Sequence, residues 1–226
     1  MAHSVQNHLH IAVADYDRVI RTYIPGYEEM LDTVAWWLGA IVPNDGKVID
    51  LGGGTGSLAE AILSRLPEIH VEIWDVDPQM MELARERLSS FGNRAMVREQ
   101  SFLEKIDPCD AVVASIALHH IPKMETKRDV YANIYSALRT HGVFLNADAT
   151  IDDTEPGRAA MYRWWSRFMG TKGISETEAY KLFDEWAAED TYQPLTDELA
   201  ALGKAGFRRP EVFWKFGPMA VYGGIK

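Results

Sequence analysis

The sequence predicts an α/β fold built on one open, mostly parallel sheet of seven strands. From Lys47 onward, short apolar runs alternate with stretches of helical periodicity, which is typical of strand–helix–strand units. A glycine-rich turn directly follows the first apolar run, at 52–56. The last two runs are separated only by Gly217-Pro218, a spacing that favours an antiparallel hairpin at the C-terminal end of the sheet.

The elements of this sheet follow one another in regular order. Two helices have N-terminal signals: Ser57-x-x-Glu60 has the form of a capping box, and Asp77-Pro78 places a side-chain acceptor before a proline. A further helix over 123–138 is expected to close at His141-Gly142. Strands are predicted at 47–51, 70–74, 95–97, 110–115, 143–147, 211–216 and 219–225.

Helical segments are also expected on both sides of the first five strands. Helices predicted at 14–23 and 28–41 form an N-terminal cap over 1–43, which leaves 44–226 as the main domain. Helices at 157–169 and 177–188, the second with a capping box at Ser175-x-x-Glu178, predict a helical lid inserted at about 151–195. A last helix at 196–205 precedes the hairpin.

Composition narrows the class of protein and its partners. The 226 residues are 47% hydrophobic and 25% charged, as in folded globular proteins. A net charge of −10 argues against nucleic acid as a partner, and the single Cys109 excludes an intrachain disulfide. We find no apolar run of about 20 residues and no signal-peptide pattern, so we expect a cytoplasmic protein without membrane contact. The sequence is compatible with a homodimer.

The glycine-rich turn predicts a nucleoside site. It has G-x-G-x-G spacing, and Ser57 stands where a dinucleotide fingerprint has its last glycine. Asp50, at the end of the first strand, would approach a cationic ligand rather than a pyrophosphate. Asp75, at the end of the second strand, can accept hydrogen bonds from both hydroxyls of a ribose. Together these residues indicate a nucleoside ligand without a phosphate.

The order of strands, the loop 50–56, Asp75 and the terminal hairpin resemble class I S-adenosylmethionine-dependent methyltransferases. The resemblance implies a Rossmann-like sheet and S-adenosylmethionine as cofactor. Within that superfamily the chain is similar to carboxy-S-adenosylmethionine synthases and their methyltransferase relatives. The shared features are Ile24-Pro25-Gly26-Tyr27 before the core and Ala205-Gly206-Phe207 before an aromatic hairpin.

The same resemblance implies a role for each cofactor-binding position. Three glycines would contact the methionine part, Asp75 the ribose, and Val76 the adenine, while Ser115 would lie beside the sulfonium and Tyr27 over the amino-acid end. Gln100 and Ser101 follow the third strand, where the family usually has an acid and an apolar residue. The cofactor-binding set is Tyr27, Asp50, Gly52, Gly53, Gly54, Asp75, Val76, Gln100, Ser101 and Ser115.

One departure separates the chain from the carboxylating relatives. The synthases meet the extra carboxylate with an arginine on the helix before the hairpin. The segment 196–205 contains no arginine, and Ala201 stands at the corresponding position. We therefore expect the ordinary cofactor, S-adenosylmethionine.

The candidate catalytic residues are His119, His120 and Asp148. The two histidines follow the fourth strand at the carboxyl edge of the sheet, and an imidazole can accept a proton near neutral pH. The alternative is that they cap or hydrogen-bond the next helix. Asp148 lies just past the fifth strand, and its position leaves three roles open: a base, a substrate contact or a helix cap. No metal is predicted, and His3, His8 and His10 are assigned to an N-terminal arm.

Aromatic residues of the flanking segments are expected to determine which substrate binds as methyl acceptor. Tyr16 and Tyr23 precede the core, and Tyr162 and Trp165 lie in the inserted helix. These four side chains predict a small aromatic or hydrophobic substrate. Methyl transfer to such an acceptor is the first hypothesis. The alternatives are a carboxy-S-adenosylmethionine synthase and a catalytically silent S-adenosylmethionine-binding regulatory module.

Overall fold

The computed structural model describes residues 15–226, so the three N-terminal histidines lie outside the described residues. The helices are α1 Tyr16–Tyr23, α2 Tyr27–Ile41, α3 Ser57–Arg65, α4 Pro78–Leu88, α5 Met124–Ala137, α6 Gly157–Thr171, α7 Glu176–Trp186 and α8 Leu195–Ala205. The strands are β1 Lys47–Leu51, β2 His70–Asp75, β3 Ala95–Glu99, β4 Cys109–Ser115, β5 Leu138–Ala149, β6 Glu211–Phe216 and β7 Met219–Ile225.

The seven strands form one sheet in the order β3-β2-β1-β4-β5-β7-β6. Strand β1 pairs in parallel with β2 and with β4, and β5 pairs in parallel with β4. Strand β7 runs antiparallel to both β5 and β6, which confirms the expected hairpin. The order reverses between β1 and β4, and the carboxyl ends of these strands form the crevice where open α/β sheets bind ligands.

Two hydrophobic layers cover the faces of this sheet. Alternate residues of β1 point to opposite faces, so Val48 joins one core and Ile49 the other. The first core is completed by the cap helix α2, by α3 and by the inserted helices α6 and α7. The second core is completed by α5 and α8. Since both faces are covered, the central strands are buried and apolar, as in other parallel sheets.

Four local predictions can be compared with the observed helix caps and helix ends. Asp77 and Ser175 are N-caps whose side chains accept backbone N–H groups of the first turn, as expected. The capping box at Ser57 is wrong, because Gly56 in a left-handed conformation is the N-cap and the Ser57 hydroxyl donates to Asp17. The expected helix end at His141-Gly142 is also wrong, because α5 ends at Ala137 and β5 begins with the next residue.

No helix within residues 15–226 is long and apolar enough to cross a bilayer.

Candidate active site

The glycine turn after β1 packs against neighbouring side chains too closely for larger residues at two of its positions. A Cβ on Gly52 would lie 2.7 Å from the Cβ of Ala117, and Gly52 has a φ of 65°. A Cβ on Gly53 would lie 2.5 Å from Ile73. In contrast, a Cβ on Gly54 would meet nothing within 4 Å. The turn is therefore fixed on its inner side by packing and leaves open space beside Gly54.

Asp75, at the end of β2, holds the turn in place through its carboxylate. One oxygen accepts the Gly54 N–H at 2.8 Å, and the other accepts the N–H groups of Val76 and Asp77 at 2.7 and 2.8 Å. Burial raises the pKa of Asp75, and these hydrogen bonds oppose the increase. The carboxylate also lines a cavity, so it remains in place to accept further hydrogen bonds from a ligand.

Asp50, at the end of β1, is a fully buried carboxyl group. Neither of its oxygens has a hydrogen-bond partner within residues 15–226. Burial, and then the charge of Asp75, raise the pKa of Asp50 to about 7. A buried carboxylate without a partner is costly, so a positively charged ligand group beside Asp50 would stabilise its ionised form.

The cap helix α1 is tied to the glycine turn by a second carboxylate. Asp17 accepts hydrogen bonds from the hydroxyls of Thr55 and Ser57 at 2.8 and 2.9 Å, and it pairs with Arg87. These hydrogen bonds and the Arg87 charge outweigh burial and lower the pKa of Asp17. As a result, Tyr16, the first residue of α1, lies on the wall of the cavity that opens beside the turn.

This cavity has a volume of about 950 Å³ and brings most of the predicted site residues together. The whole cofactor-binding set lies on its wall, together with both histidines and three of the four predicted acceptor-binding aromatics. Asp148 and Tyr162 do not line it: Asp148 lies behind His119, and Tyr162 stacks on Trp165 with ring centroids 6.5 Å apart. The predicted residues on the wall are Tyr16, Tyr23, Tyr27, Asp50, Gly52, Gly53, Gly54, Asp75, Val76, Gln100, Ser101, Ser115, His119, His120 and Trp165.

His119 and Asp148 form a buried pair where β4 and β5 end. The Nδ1 atom of His119 lies 2.6 Å from one carboxylate oxygen of Asp148, and the other oxygen accepts the His119 backbone N–H at 3.1 Å. Burial alone lowers the pKa of His119, but Asp148 and Asp190 outweigh it and raise the pKa. Burial conversely raises the pKa of Asp148, and His119 lowers it to a net value below its usual range. The pair therefore favours a charged imidazolium and carboxylate.

Asp190 is a site residue that sequence reasoning missed. It follows α7, its side chain is only 4% exposed, and its carboxylate lies 3.1 Å from Nδ1 of His120 and 3.6 Å from Nε2 of His119. Tyr192 donates its hydroxyl to the other oxygen at 2.6 Å. One ligand-type atom from each of His119, His120 and Asp190 lies within 4.8 Å of the others, close enough to share one cation. Only the acidic end of α7 hinted at this cluster in the sequence.

Aromatic side chains form the rest of the wall at this end. The rings of Trp165 and Trp186 lie 5.7 Å apart, and Tyr192 packs 5.8 Å from Trp165. The indole N–H of Trp186 is buried and has no hydrogen-bond partner within residues 15–226. These rings form an apolar surface that can hold a flat organic molecule. The Trp186 N–H adds a hydrogen-bond donor to this surface.

The residues at the other end fit S-adenosylmethionine. The open space at Gly54, the Asp75 carboxylate and the unpartnered Asp50 carboxylate suit an aminoacyl group and a ribose. The hydroxyl of Ser115 is also buried without a partner within residues 15–226, and Ser115 lies on the wall of the same cavity.

Comparison with known proteins agrees with this arrangement. Residues 49–144 match a family model described as a methyltransferase domain. The chain is 23% identical to a carboxy-S-adenosyl-L-methionine synthase of Nautilia profundicola, over 93% of this chain and 90% of that protein. It is 29% identical to an uncharacterised methyltransferase of Geobacillus kaustophilus, over 78% of this chain and 79% of that protein.

A solved structure shows the same fold. Human N-acetylserotonin methyltransferase in complex with S-adenosylmethionine superimposes with a TM-score of 0.62 at 21% identity. The match covers 87% of this chain and 50% of the human protein, so the chain spans about half the length of that structure.

Proposed function

We propose that the chain is a class I S-adenosylmethionine-dependent methyltransferase that methylates a small acceptor with an aromatic or otherwise hydrophobic body. The observation that carries the proposal is that one cavity of about 950 Å³ holds both a nucleoside-type end and an aromatic end with paired histidines. The cofactor supplies a methyl group already activated on a sulfonium. The protein must therefore position the acceptor, exclude water and accept the one proton that the acceptor loses.

We assign the cofactor end as follows. Gly52, Gly53 and Gly54 leave room for the methionine part, and Asp50 attracts its ammonium group. Asp75 binds the ribose hydroxyls, as its position at the end of β2 allows. The adenine lies beside Val76, between the residues that follow β2 and β3, with Gln100 and Ser101 at its edge. Ser115 contacts the sulfonium end, and Tyr27 covers the amino-acid end from the cap.

At the acceptor end, we assign proton acceptance to His120. Its side chain lies on the cavity wall and is 20% exposed, whereas the side chain of His119 is 5% exposed and paired with Asp148. The raised pKa of His119 means that its imidazole holds a proton more firmly than a free histidine, so it is less available to accept another. His119 and Asp148 then act as positioning residues. They hold the short helical turn 118–120 against the end of β5.

The aromatic residues divide into two groups by position. Tyr16, Tyr23 and Trp165 lie on the wall and would contact the acceptor. Tyr162 packs behind them, 5.0 Å from the ring of Phe183, and acts by holding Trp165. Ring faces at this end also attract the sulfonium charge, which supports binding of the two ligands side by side.

The second candidate function is synthesis of carboxy-S-adenosylmethionine, which the similarity to such synthases over nearly the whole chain favours. The cavity opposes it, because no lysine or arginine stands on the part of its wall that residues 15–226 form. Ala201, where the synthases have their arginine, is buried in the core between α8 and the sheet. Within that part of the wall, an extra carboxylate would meet neither lysine nor arginine.

Mass spectrometry of the small molecule extracted from the purified protein tests the assignment. We expect S-adenosylmethionine or S-adenosylhomocysteine, and a carboxylated cofactor would contradict it. Turnover of an acceptor panel then tests transfer. His120→Ala should lower kcat about 100-fold with cofactor affinity unchanged, and the exposed His141→Asn is the matched control. Tight cofactor binding with no methylated product from any acceptor would favour a silent regulatory module.

A further inference from the structure

The cavity carries negative charge at both ends. Its described wall contains five acidic residues and two histidines but neither lysine nor arginine. The sequence 1–14, which precedes the described residues, also contains no lysine or arginine. The acidic residues fall into two groups, Asp50, Asp75 and Asp77 beside the glycine turn, and Glu189 and Asp190 after α7. The described wall therefore offers an anionic acceptor no lysine or arginine, and its acidic side chains would repel such an acceptor.

The second acidic group is built around a point that suits a cation. Asp190 lies 3.1 Å from His120 and 3.6 Å from His119, and three ligand-type atoms from these residues are within 4.8 Å of one another. Two buried carboxylates, Asp148 and Asp190, flank the imidazole of His119, at 2.6 and 3.6 Å from its two ring nitrogens. Carboxylates gathered in this way raise the local concentration of positively charged ligands.

The surrounding side chains match an organic cation rather than a bare ion. The rings of Tyr16, Trp186 and Tyr192 stand on the same wall, and aromatic faces attract ammonium groups within about 6 Å. The buried N–H of Trp186, which has no hydrogen-bond partner among residues 15–226, can donate a hydrogen bond to an oxygen on the body of the ligand. Glu189 is exposed at the edge of the cavity and extends the negative surface outward.

We propose that the acceptor is a primary or secondary amine on an oxygen-bearing aromatic body, bound as its ammonium form by Asp190 between the rings. The inference rests on the proposed function and specifies its substrate class. It gives Asp190 the role of a substrate-binding residue that determines specificity.

The proton balance of the transfer then follows. The ammonium form gives one proton to His120, which leaves the nitrogen lone pair free. That lone pair forms the new N–C bond while the electrons of the S–C bond return to sulfur. The products are an N-methylammonium ion and S-adenosylhomocysteine, and His120 later releases its proton to water.

The test compares three head groups on one aromatic body. Tyramine, tyrosol and 4-hydroxyphenylacetate are titrated by calorimetry into protein saturated with S-adenosylhomocysteine, in buffer with and without EDTA. The indole series of tryptamine, tryptophol and indole-3-acetate repeats the comparison. We expect the amines to bind at least about tenfold more tightly than the matched alcohols, the acids not to bind at millimolar concentration, and EDTA to change nothing.

Variants assign the preference to Asp190. Asp190→Asn should remove the difference between amine and alcohol while affinity for S-adenosylhomocysteine stays the same, which also shows that the variant is folded. Glu189→Gln, at the edge, should reduce the preference by about two- to threefold. Exposed Asp153→Asn is the matched control and should leave it unchanged.

Several results would overturn the proposal. These are equal or tighter binding of alcohols, binding of the acids, no binding of any amine, or an amine preference that EDTA abolishes, which would assign the cluster to a metal ion. Failure of the proposed function is distinct, since the protein would then either not bind S-adenosylhomocysteine or bind it and methylate no member of the panel. Methylation of an alcohol or acid in the same panel would keep the proposed function and reject the amine.

Discussion

The two ends of the cavity differ in how the chain assembles them. At the cofactor end, the glycine turn and Asp75 come from two adjacent parallel strands and are joined by short hydrogen bonds, such as that from the Gly54 N–H at 2.8 Å. At the acceptor end, Tyr16, His120, Trp165 and Asp190 come from four separate parts of the chain. The first end therefore depends on local backbone geometry, and the second on tertiary packing of the cap and the inserted helices.

The largest effect is expected from Asp75→Ala at the cofactor end. The variant loses an ionised acceptor for the ribose hydroxyls. Hydrogen bonds to charged groups contribute about 1.5 to 3 kcal/mol each, so we expect about a 100-fold loss of affinity for S-adenosylhomocysteine. Calorimetry measures it, with exposed Asp153→Ala as control. An unchanged dissociation constant would show that Asp75 serves only the turn.

The second-largest effect is expected at Asp50, the other carboxylate of the cofactor end, in the pH dependence of ligand binding. The pKa of Asp50 is raised to about 7 by burial and by Asp75, so below neutral pH it is largely protonated and attracts a cationic group weakly. Affinity for S-adenosylhomocysteine should therefore rise about tenfold between about pH 6 and 8. Calorimetry at each pH measures the slope, and Asp50→Asn should flatten it. A slope that persists in this variant would assign it to another group.

The contrast between the cofactor end and the acceptor end also explains which parts of the fold and of the site could be predicted from the sequence. The glycine turn, Asp75 and the seven strands were found from sequence, because each is marked by residues close together in the chain or by a period of two. Asp190 was not found, because only the fold brings it to His120, 70 positions earlier. Ser57 was misassigned as a cap, because its hydroxyl is used by Asp17 of a helix 40 positions earlier, a contact that no local pattern shows.

At the acceptor end, a smaller effect is expected in the pH dependence of stability. The folded state raises the pKa of His119, because Asp148 and Asp190 outweigh burial, while Lys127 opposes them. Its charged form thus stabilises the fold fully below the unfolded pKa of about 6.5, and this contribution is lost as pH rises through the raised folded pKa.

Chemical denaturation of wild type and His119→Asn measures that contribution. The free-energy advantage of wild type should be about 1 to 2 kcal/mol near pH 6 and should shrink toward pH 9. His141→Asn, an exposed histidine, should show no such trend. An advantage of wild type that grows with pH would mean that His119 is neutral in the folded protein.

The smallest effect is expected from metal removal, which distinguishes the two possible occupants of the histidine and aspartate cluster. Dialysis against EDTA should leave methyl transfer within about a factor of two. Loss of activity that Zn²⁺ restores would instead identify His119, His120 and Asp190 as metal ligands, and it would remove the ammonium site from the account.

The most direct test of the division between the two ends is a crystal structure with S-adenosylhomocysteine. The account predicts ribose hydroxyls on Asp75, the homocysteine part along Gly52–Gly54, and the sulfur facing the space bordered by Ser115, His120 and Asp190. A ligand whose ribose or homocysteine part lies against Asp190 and Tyr192 would contradict it.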